Sequence, residues 1–114
     1  MKKIVLFALV LGGGCASAVA PTGSMENSLS NIRAAQEVGA PKVPRAQLHL
    51  QLAEEQTTHA KKLMADNEKE RASFVTMRAE ADGQLALALA RQNVSSIAAK
   101  ESAAKLAELN KGSL

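Results

Sequence analysis

Few residues in this chain of 114 amino acids have the chemistry and the spacing that a catalytic or metal site requires. The two histidines, His49 and His59, are ten residues apart, which puts them on different parts of a helix surface. Histidines that share a zinc ion on a helix are typically four residues apart. Glu55 shares a helix face with His59, but one carboxylate and one imidazole make only half of a metal site. The sequence therefore predicts no metal centre.

The acidic residues are arranged as exposed charge and not as a catalytic pair. Glu54 with Glu55, and the group of Asp66, Glu68 and Glu70, occupy positions typical of solvated helix surfaces. A chain of long helices offers no dry, concave pocket in which paired carboxylates could act as acid and base. No serine has a histidine and a carboxylate in a recognisable order, and no glycine-rich loop opens a helix after a strand. We expect no enzymatic activity, no cofactor and no small-molecule substrate.

Cys15 is the one residue whose position indicates a specific chemical role, and it is the only cysteine. The chain starts with Met1-Lys2-Lys3 and continues with an apolar run from Ile4 to Leu11. That run is too short to span a bilayer core of about 30 Å. Small residues then fill positions 12–14 before the cysteine. This order is typical of a bacterial export signal, and it predicts a signal peptide over residues 1–14.

The junction resembles the lipobox of bacterial lipoproteins, in which the cysteine after the cut receives a diacylglyceryl group and an N-terminal acyl chain. The leucine of such a box usually precedes the cysteine by three residues, whereas here Gly12 has that place and Leu11 lies one residue further out. The resemblance implies that Cys15 is the lipid attachment site and that covalent lipid holds the protein on a membrane. The alternative is an ordinary secretory cut after Ala18, in the pattern Ala16-Ser17-Ala18, which would release a soluble periplasmic protein.

Composition bounds the fold and excludes one class of partner. After removal of the signal about a hundred residues remain, enough for one domain. The formal charge of +3 falls because Lys2 and Lys3 leave, so that a role in nucleic-acid binding loses its main support. Tryptophan and tyrosine are absent, and Phe74 is the only aromatic residue left. Strands favour β-branched and aromatic residues, so the sequence predicts an all-α fold.

Apolar periodicity and helix-breaking residues divide the mature chain into a spacer and three helices. The lipidated cysteine and a flexible spacer are predicted for residues 15–24, and a helical domain for residues 25–111. The predicted helices extend over residues 25–38, 44–65 and 67–110. Asn67 with Glu70 resembles a capping box at the start of the third helix. The predicted architecture is an antiparallel, coiled-coil-like helical hairpin with an extra amino-terminal helix.

The predicted register brings Ala53 opposite Ala81, with Phe74 and Met77 filling the seam between the second and third helices. The alternative is that these large side chains form a soft exposed patch for a partner's helix. Gly83, which costs about 1 kcal/mol in a helix interior, would mark a close approach of the second helix or a slight bend. Beyond about Ala90 the third helix needs another cover, since each large aliphatic side chain left exposed forgoes about 1.5–3 kcal/mol. We expect the first helix there, with a second copy or another envelope protein as the alternative.

Four segments carry a resemblance to a known family: residues 32–40, Pro44-Arg45-Ala46, Asp66-Asn67-Glu68 and residues 78–82. Through them the stretch 31–109 resembles alanine-rich helical domains of envelope lipoproteins in Gram-negative bacteria, a domain of unknown function that sometimes precedes an OmpA-like domain. The resemblance implies a helical hairpin, an outer-membrane or periplasmic location and no catalytic residues.

Two function classes follow. One is a lipid-anchored structural or interaction module of the outer membrane that faces the periplasm and binds another envelope protein or itself. The other is a soluble periplasmic binding or chaperone-like protein.

Overall fold

The computed structural model describes residues 19–113, which form three α-helices and one short 3-10 helix. The three are α1 (Thr22–Val38), α2 (Pro44–Ala65) and α3 (Lys69–Gly112), and the 3-10 helix covers Ala40–Lys42 between α1 and α2. Residues 19–113 contain no strand. The prediction of an all-α hairpin with an extra amino-terminal helix is therefore confirmed, whereas the predicted signal peptide and Cys15 lie outside the described residues.

The chain reverses sharply between α1 and α2. Gly39 adopts a left-handed backbone conformation with φ 98°, and its N–H donates to the carbonyl groups of Ala35 and Gln36. Glycine takes this conformation without steric cost, which is why it ends so many helices. The 3-10 turn follows, and Pro44 then occupies the start of α2, where its missing N–H costs nothing. The two helices therefore lie antiparallel.

The helix α1 begins three residues before the predicted Met25. The carbonyl oxygen of Pro21 accepts a hydrogen bond from the Met25 amide at 3.0 Å, so the first helical turn forms directly after the proline. Residues 22–24 consequently belong to the helix and not to a flexible spacer. Gly23 does not prevent this, because glycine in a helix costs only about 1 kcal/mol relative to alanine and removes no hydrogen bond.

Asn67 ends α2 and does not cap α3 as predicted. Its backbone is left-handed with φ 61°, a conformation in which asparagine is enriched among non-glycine residues. The Asn67 amide donates to the carbonyl of Met64 at 3.1 Å, and the Glu68 amide to that of Leu63 at 2.8 Å. These two bonds form a Schellman motif. Glu68 precedes α3 without a side-chain capping bond and pairs with Arg71 instead.

The contact between α2 and α3 is a seam of alanines. Each helix buries three alanines completely, spaced seven residues apart: Ala46, Ala53 and Ala60 on α2, and Ala72, Ala79 and Ala86 on α3. Because the spacing is equal, antiparallel pairing about the turn brings the two sets to matching levels. Each alanine places only a methyl group between the helices, which favours axes near the short end of the usual 8–10 Å range.

The face of α3 that was predicted for this seam is wrong. Ala81 and Ala88 are exposed, and Phe74 and Met77 are 63% and 58% exposed. The buried face lies two residues away, which is about 200° around the helix. A seam of methyl groups has no room for a phenyl ring, so the small residues and not the large ones face α2.

The helix α1 packs beside α2 on the first half of α3, and the predicted position along the distal half is wrong. Ser28 and Thr57 are buried and share a hydrogen bond of 2.8 Å between α1 and α2. A Cβ atom built on Gly83 would lie 3.1 Å from Cβ of Asn31. The close approach that Gly83 permits is therefore that of α1, not α2. Gly39 and the 3-10 turn fold α1 back, which keeps it from continuing in line with α2.

The distal half of α3 projects beyond the bundle. Every residue from Arg91 to Ser113 is exposed, and the helical part of this segment, residues 91–112, is about 33 Å long at 1.5 Å per residue. The face that packs against α1 and α2 continues beyond Ala90 with Val94 and Ile97, which are exposed. The bundle seam ends at Ala90 because α2 begins at Pro44 and α1 ends at Val38, which leaves the rest of α3 without a neighbouring helix among the described residues.

Candidate interaction surface

Asp82 connects α3 to α2 through two side chains. Its carboxylate lies 2.9 Å from Nδ1 of His49 and accepts a hydrogen bond of 2.9 Å from the Gln56 amide. The His49 and Asp82 side chains are only 23% and 21% exposed. Asp82 thus lies at a level between the two α2 residues, so the predicted alignment along the helix axes is close although the predicted face is wrong. His49 is therefore engaged in holding two helices together.

Two further hydrogen bonds, both at the exposed edges of the bundle, attach α1 to α3 and to α2. The Asn27 amide donates to Glu80 of α3 at 3.1 Å, and the Gln36 amide donates to Glu54 of α2 at 2.8 Å. Both pairs are exposed, so each contributes little to stability by itself. The Asn27–Glu80 bond and the two bonds of Asp82 fix the rotation of α3 about its axis, and this rotation decides which face of α3 meets solvent. The Gln36–Glu54 bond joins α1 to α2.

The remaining residues considered for a metal site stay apart. His59 is exposed and borders an open depression on α2 with Glu54, Glu55, Thr58 and Lys62. Within residues 19–113, no group of three His, Cys, Asp or Glu side chains is placed to hold a metal ion. The contact of His49 with Asp82 was not among the sequence-based predictions. The equal spacing of the buried alanines could have revealed it, because that pairing brings positions 49 and 82 to nearly the same level.

The most extended exposed feature is a stripe along α3, which we call the outer stripe. It starts at Phe74 and proceeds in alternating steps of four and three residues to Leu109, giving eleven positions that are all exposed. It lies opposite the face that contacts α1 and α2. Arg78 is its only charged residue. A heptad-like spacing with apolar and small residues is typical of a helix that pairs with another helix.

The amino-terminal end of the described chain lies beside this region. Residues 19–24 and the α3 residues Ser73, Met77 and Gln84 border one open depression. The start of α1 is therefore next to the first part of α3 and remote from its carboxyl end.

No helix formed by residues 19–113 has the length and hydropathy needed to cross a bilayer.

These features define an all-helical domain that has a three-helix bundle at one end and the solvent-exposed distal half of α3 at the other. A family model described as "Domain of unknown function (DUF4398)" matches residues 23–108, and the chain belongs to this family. The matched range extends through most of the projecting half of α3, so that this half is part of the family domain. Neither the family nor the fold indicates a catalytic activity. No curated protein and no solved structure matches the chain significantly.

Proposed function

We propose that this protein is a lipid-anchored, non-catalytic module of the cell envelope, attached through Cys15 to the outer membrane and facing the periplasm. The observation that supports an interaction role is the uncovered distal half of α3. Val94 and Ile97 are 50% and 47% exposed there, and Leu106 and Leu109 are both 62% exposed. Covering a large aliphatic side chain contributes about 1.5–3 kcal/mol, so this segment gains stability when another protein binds it.

The anchor in this proposal keeps the bundle close to the membrane. Six residues separate Cys15 from Thr22 at the start of α1, and a fully extended chain of that length reaches only about 20 Å. Two or more acyl chains bind a membrane far longer than one, because each buried methylene contributes about 0.8 kcal/mol. The module would thus act at the membrane surface, presenting helix faces to envelope proteins or to its own copies.

The lipid is tested by metabolic labelling with a palmitate analogue and by fractionation of cells that express Cys15→Ala. The variant should lose the label and leave the membrane fraction. Ser17→Ala, which changes a neighbouring small residue and keeps the thiol, should behave like the parent. A Cys15→Ala protein that stays in the membrane fraction as fully as the parent overturns the anchor.

The alternative function, a soluble periplasmic binding or chaperone-like protein, is favoured by the Ala16-Ser17-Ala18 pattern. In that case the mature protein begins at Val19 and contains no cysteine. Intact-mass measurement of the mature protein separates the two, because the first function predicts an acylated amino-terminal Cys15 and the second an unmodified chain from Val19.

A further inference from the structure

We propose that two copies of this chain pair antiparallel through their outer stripes, with the two-fold axis near Gln92. The inference deepens the proposed function, because it names the partner that covers Leu106 and Leu109, but it does not depend on the lipid. It rests on the exposure, the spacing and the order of side-chain sizes along α3.

The outer stripe differs from the rest of the α3 surface in charge. Twelve of the 44 residues of α3 are charged, but only one of the eleven stripe positions is. The opposite face carries Val94 and Ile97 directly after it leaves the bundle and then the charged residues Lys100 and Lys111. Solvent-exposed helix faces usually carry many charged residues. A stripe of this length with one charge is therefore better suited to contact with a protein than to exposure to water. The seven-residue spacing further indicates that the contact is with a helix of similar length.

Side-chain sizes along the stripe indicate an antiparallel order. Large apolar residues lie at its two ends, with Phe74 at one end and Leu106 and Leu109 at the other, and Leu85 is the only one between them. Five of the interior positions are alanine or serine, at 81, 88, 95, 99 and 102. In an antiparallel pair centred near Gln92, Phe74 lies level with Leu109 of the other copy and Leu85 lies level with Ala99, so that each large residue of the interior meets a small one. Ala81 and Ala88 then lie level with Ser102 and Ser95.

The parallel order is less favourable. It would place Arg78 beside Arg78 of the other copy, and like charges in contact repel each other. In the antiparallel order Arg78 lies level with Leu106, along which its aliphatic stem can pack. Gln92 then meets its own copy at the axis, where two amides can exchange hydrogen bonds.

The area available fits a second copy. From Phe74 to Leu109 the stripe is about 50 Å long and, at a helix diameter of about 10–12 Å, covers on the order of 600 Å² on each copy. With flanking side chains this approaches the ~800 Å² per partner of a standard stable interface. All eleven stripe positions are exposed, and residues 19–24 border the stripe at Ala81, so the second copy would lie beside the start of α1 at that level.

The test uses the full chain carrying Cys15→Ala, which removes the only native thiol, and measures mass by sedimentation over a range of concentrations. We expect a dimer. Ala99→Glu places a charge in the stripe, and Ala104→Glu places the same charge on the opposite face of the same exposed segment. Because both positions are exposed, neither change should alter the helix content. Ala99→Glu should raise the dimer dissociation constant at least tenfold, and Ala104→Glu should leave it nearly unchanged.

The order of the two copies is tested by single cysteines in the same background. Gln92→Cys should form a disulfide between copies under mild oxidation, because the axis brings the two thiols together. Leu106→Cys should not, because the two positions are then about 40 Å apart. A chain that is monomeric at all concentrations overturns the inference, as does an equal effect of the two glutamates. Crosslinking at both cysteine positions overturns the antiparallel order. Lipid labelling of Cys15 is a separate readout, so either proposal can fail alone.

Discussion

Gly83 of α3 and Asn31 of α1 face each other at a distance that leaves no space for a side chain on α3. A Cβ atom at position 83 would lie 3.1 Å from Cβ of Asn31 and 3.6 Å from the carbonyl oxygen of Ser28. Both neighbouring atoms are held by the backbone of α1, so they can yield only if the whole helix shifts. This close contact decides where α1 docks.

We expect Gly83→Leu to displace α1 and to lower the free energy of unfolding by at least about 1–3 kcal/mol, the usual cost of overpacking. Replacing glycine also gains about 1 kcal/mol of helix propensity, so the loss of packing must exceed that gain. Gln84→Leu, at the exposed neighbouring position, has no such conflict and is the matched control. Urea unfolding and limited proteolysis within α1 measure the effect. Equal stability of the two variants would show that α1 does not need this contact.

The alanine seam predicts opposite outcomes for two alanines on α3. Ala79 is fully buried and Ala81 is exposed. Ala79→Leu should destabilise the fold by about 1–3 kcal/mol because the added carbons force α2 away. Ala81→Leu should change stability by no more than about 0.5 kcal/mol. Thermal unfolding followed by circular dichroism distinguishes them, and the reverse ranking would restore the register that places Ala81 in the seam.

Asp82 should contribute more to stability than other acidic residues of the hairpin. Asp82→Ala removes the acceptor for His49 and Gln56 at once and should cost about 1–2 kcal/mol, since part-buried polar groups lose their partner. Glu55→Ala, at an exposed position of α2, should cost about 0.5 kcal/mol or less. A double-mutant cycle of Asp82→Ala with His49→Ala should give a coupling energy above about 0.5 kcal/mol. Strict additivity would mean that the hydrogen bond contributes nothing in solution.

The turn between α2 and α3 should be sensitive to side-chain type at Asn67 in a defined order. With φ 61°, glycine is the least strained residue there and alanine pays roughly 1–2 kcal/mol for the left-handed conformation. Asn67→Gly should therefore match or exceed the parent in stability, and Asn67→Ala should lie below it. Chemical denaturation of the three proteins measures the order. A variant with alanine as stable as the one with glycine would contradict a left-handed residue at this position.

The sequence was sufficient for the elements but not for their rotation. Proline and glycine at the ends of α2 and α1 are local signals, and the predicted α2, residues 44–65, has the observed bounds. The face of α3 was missed because alanines lie on both of its faces, Ala79 on the buried one and Ala81 on the exposed one, so that alanine spacing alone does not distinguish them. Only small side chains fit in the seam between α2 and α3. Ala79 fits there and Phe74 does not. The exposed stripe along α3 was therefore assigned to the seam.

The docking of α1 was missed for a related reason. The prediction started from the aliphatic residues of the distal half that lacked a cover, and not from the small residues that allow close approach. Ser28 and Gly83 were the available signals, because two such residues at matching levels let backbones come together. Their partnership is non-local, since the two positions are 55 apart in the sequence, and helical periodicity carries no information on pairs of this kind. Cys15 and the signal peptide stay predictions.

The location of the amino-terminal end beside Ser73 and Met77 has a consequence for how a pair of chains would sit at a bilayer. In the antiparallel pair, position 77 of one copy lies level with about position 106 of the other, so the two points of tethering are roughly 45 Å apart along the long axis. If each copy also carries a short lipid tether, the two lipid anchors reach one leaflet only when the long axis of the pair is parallel to the membrane plane. The length of the tethers would then set the orientation of the pair, and no contact with the lipid headgroups would be needed.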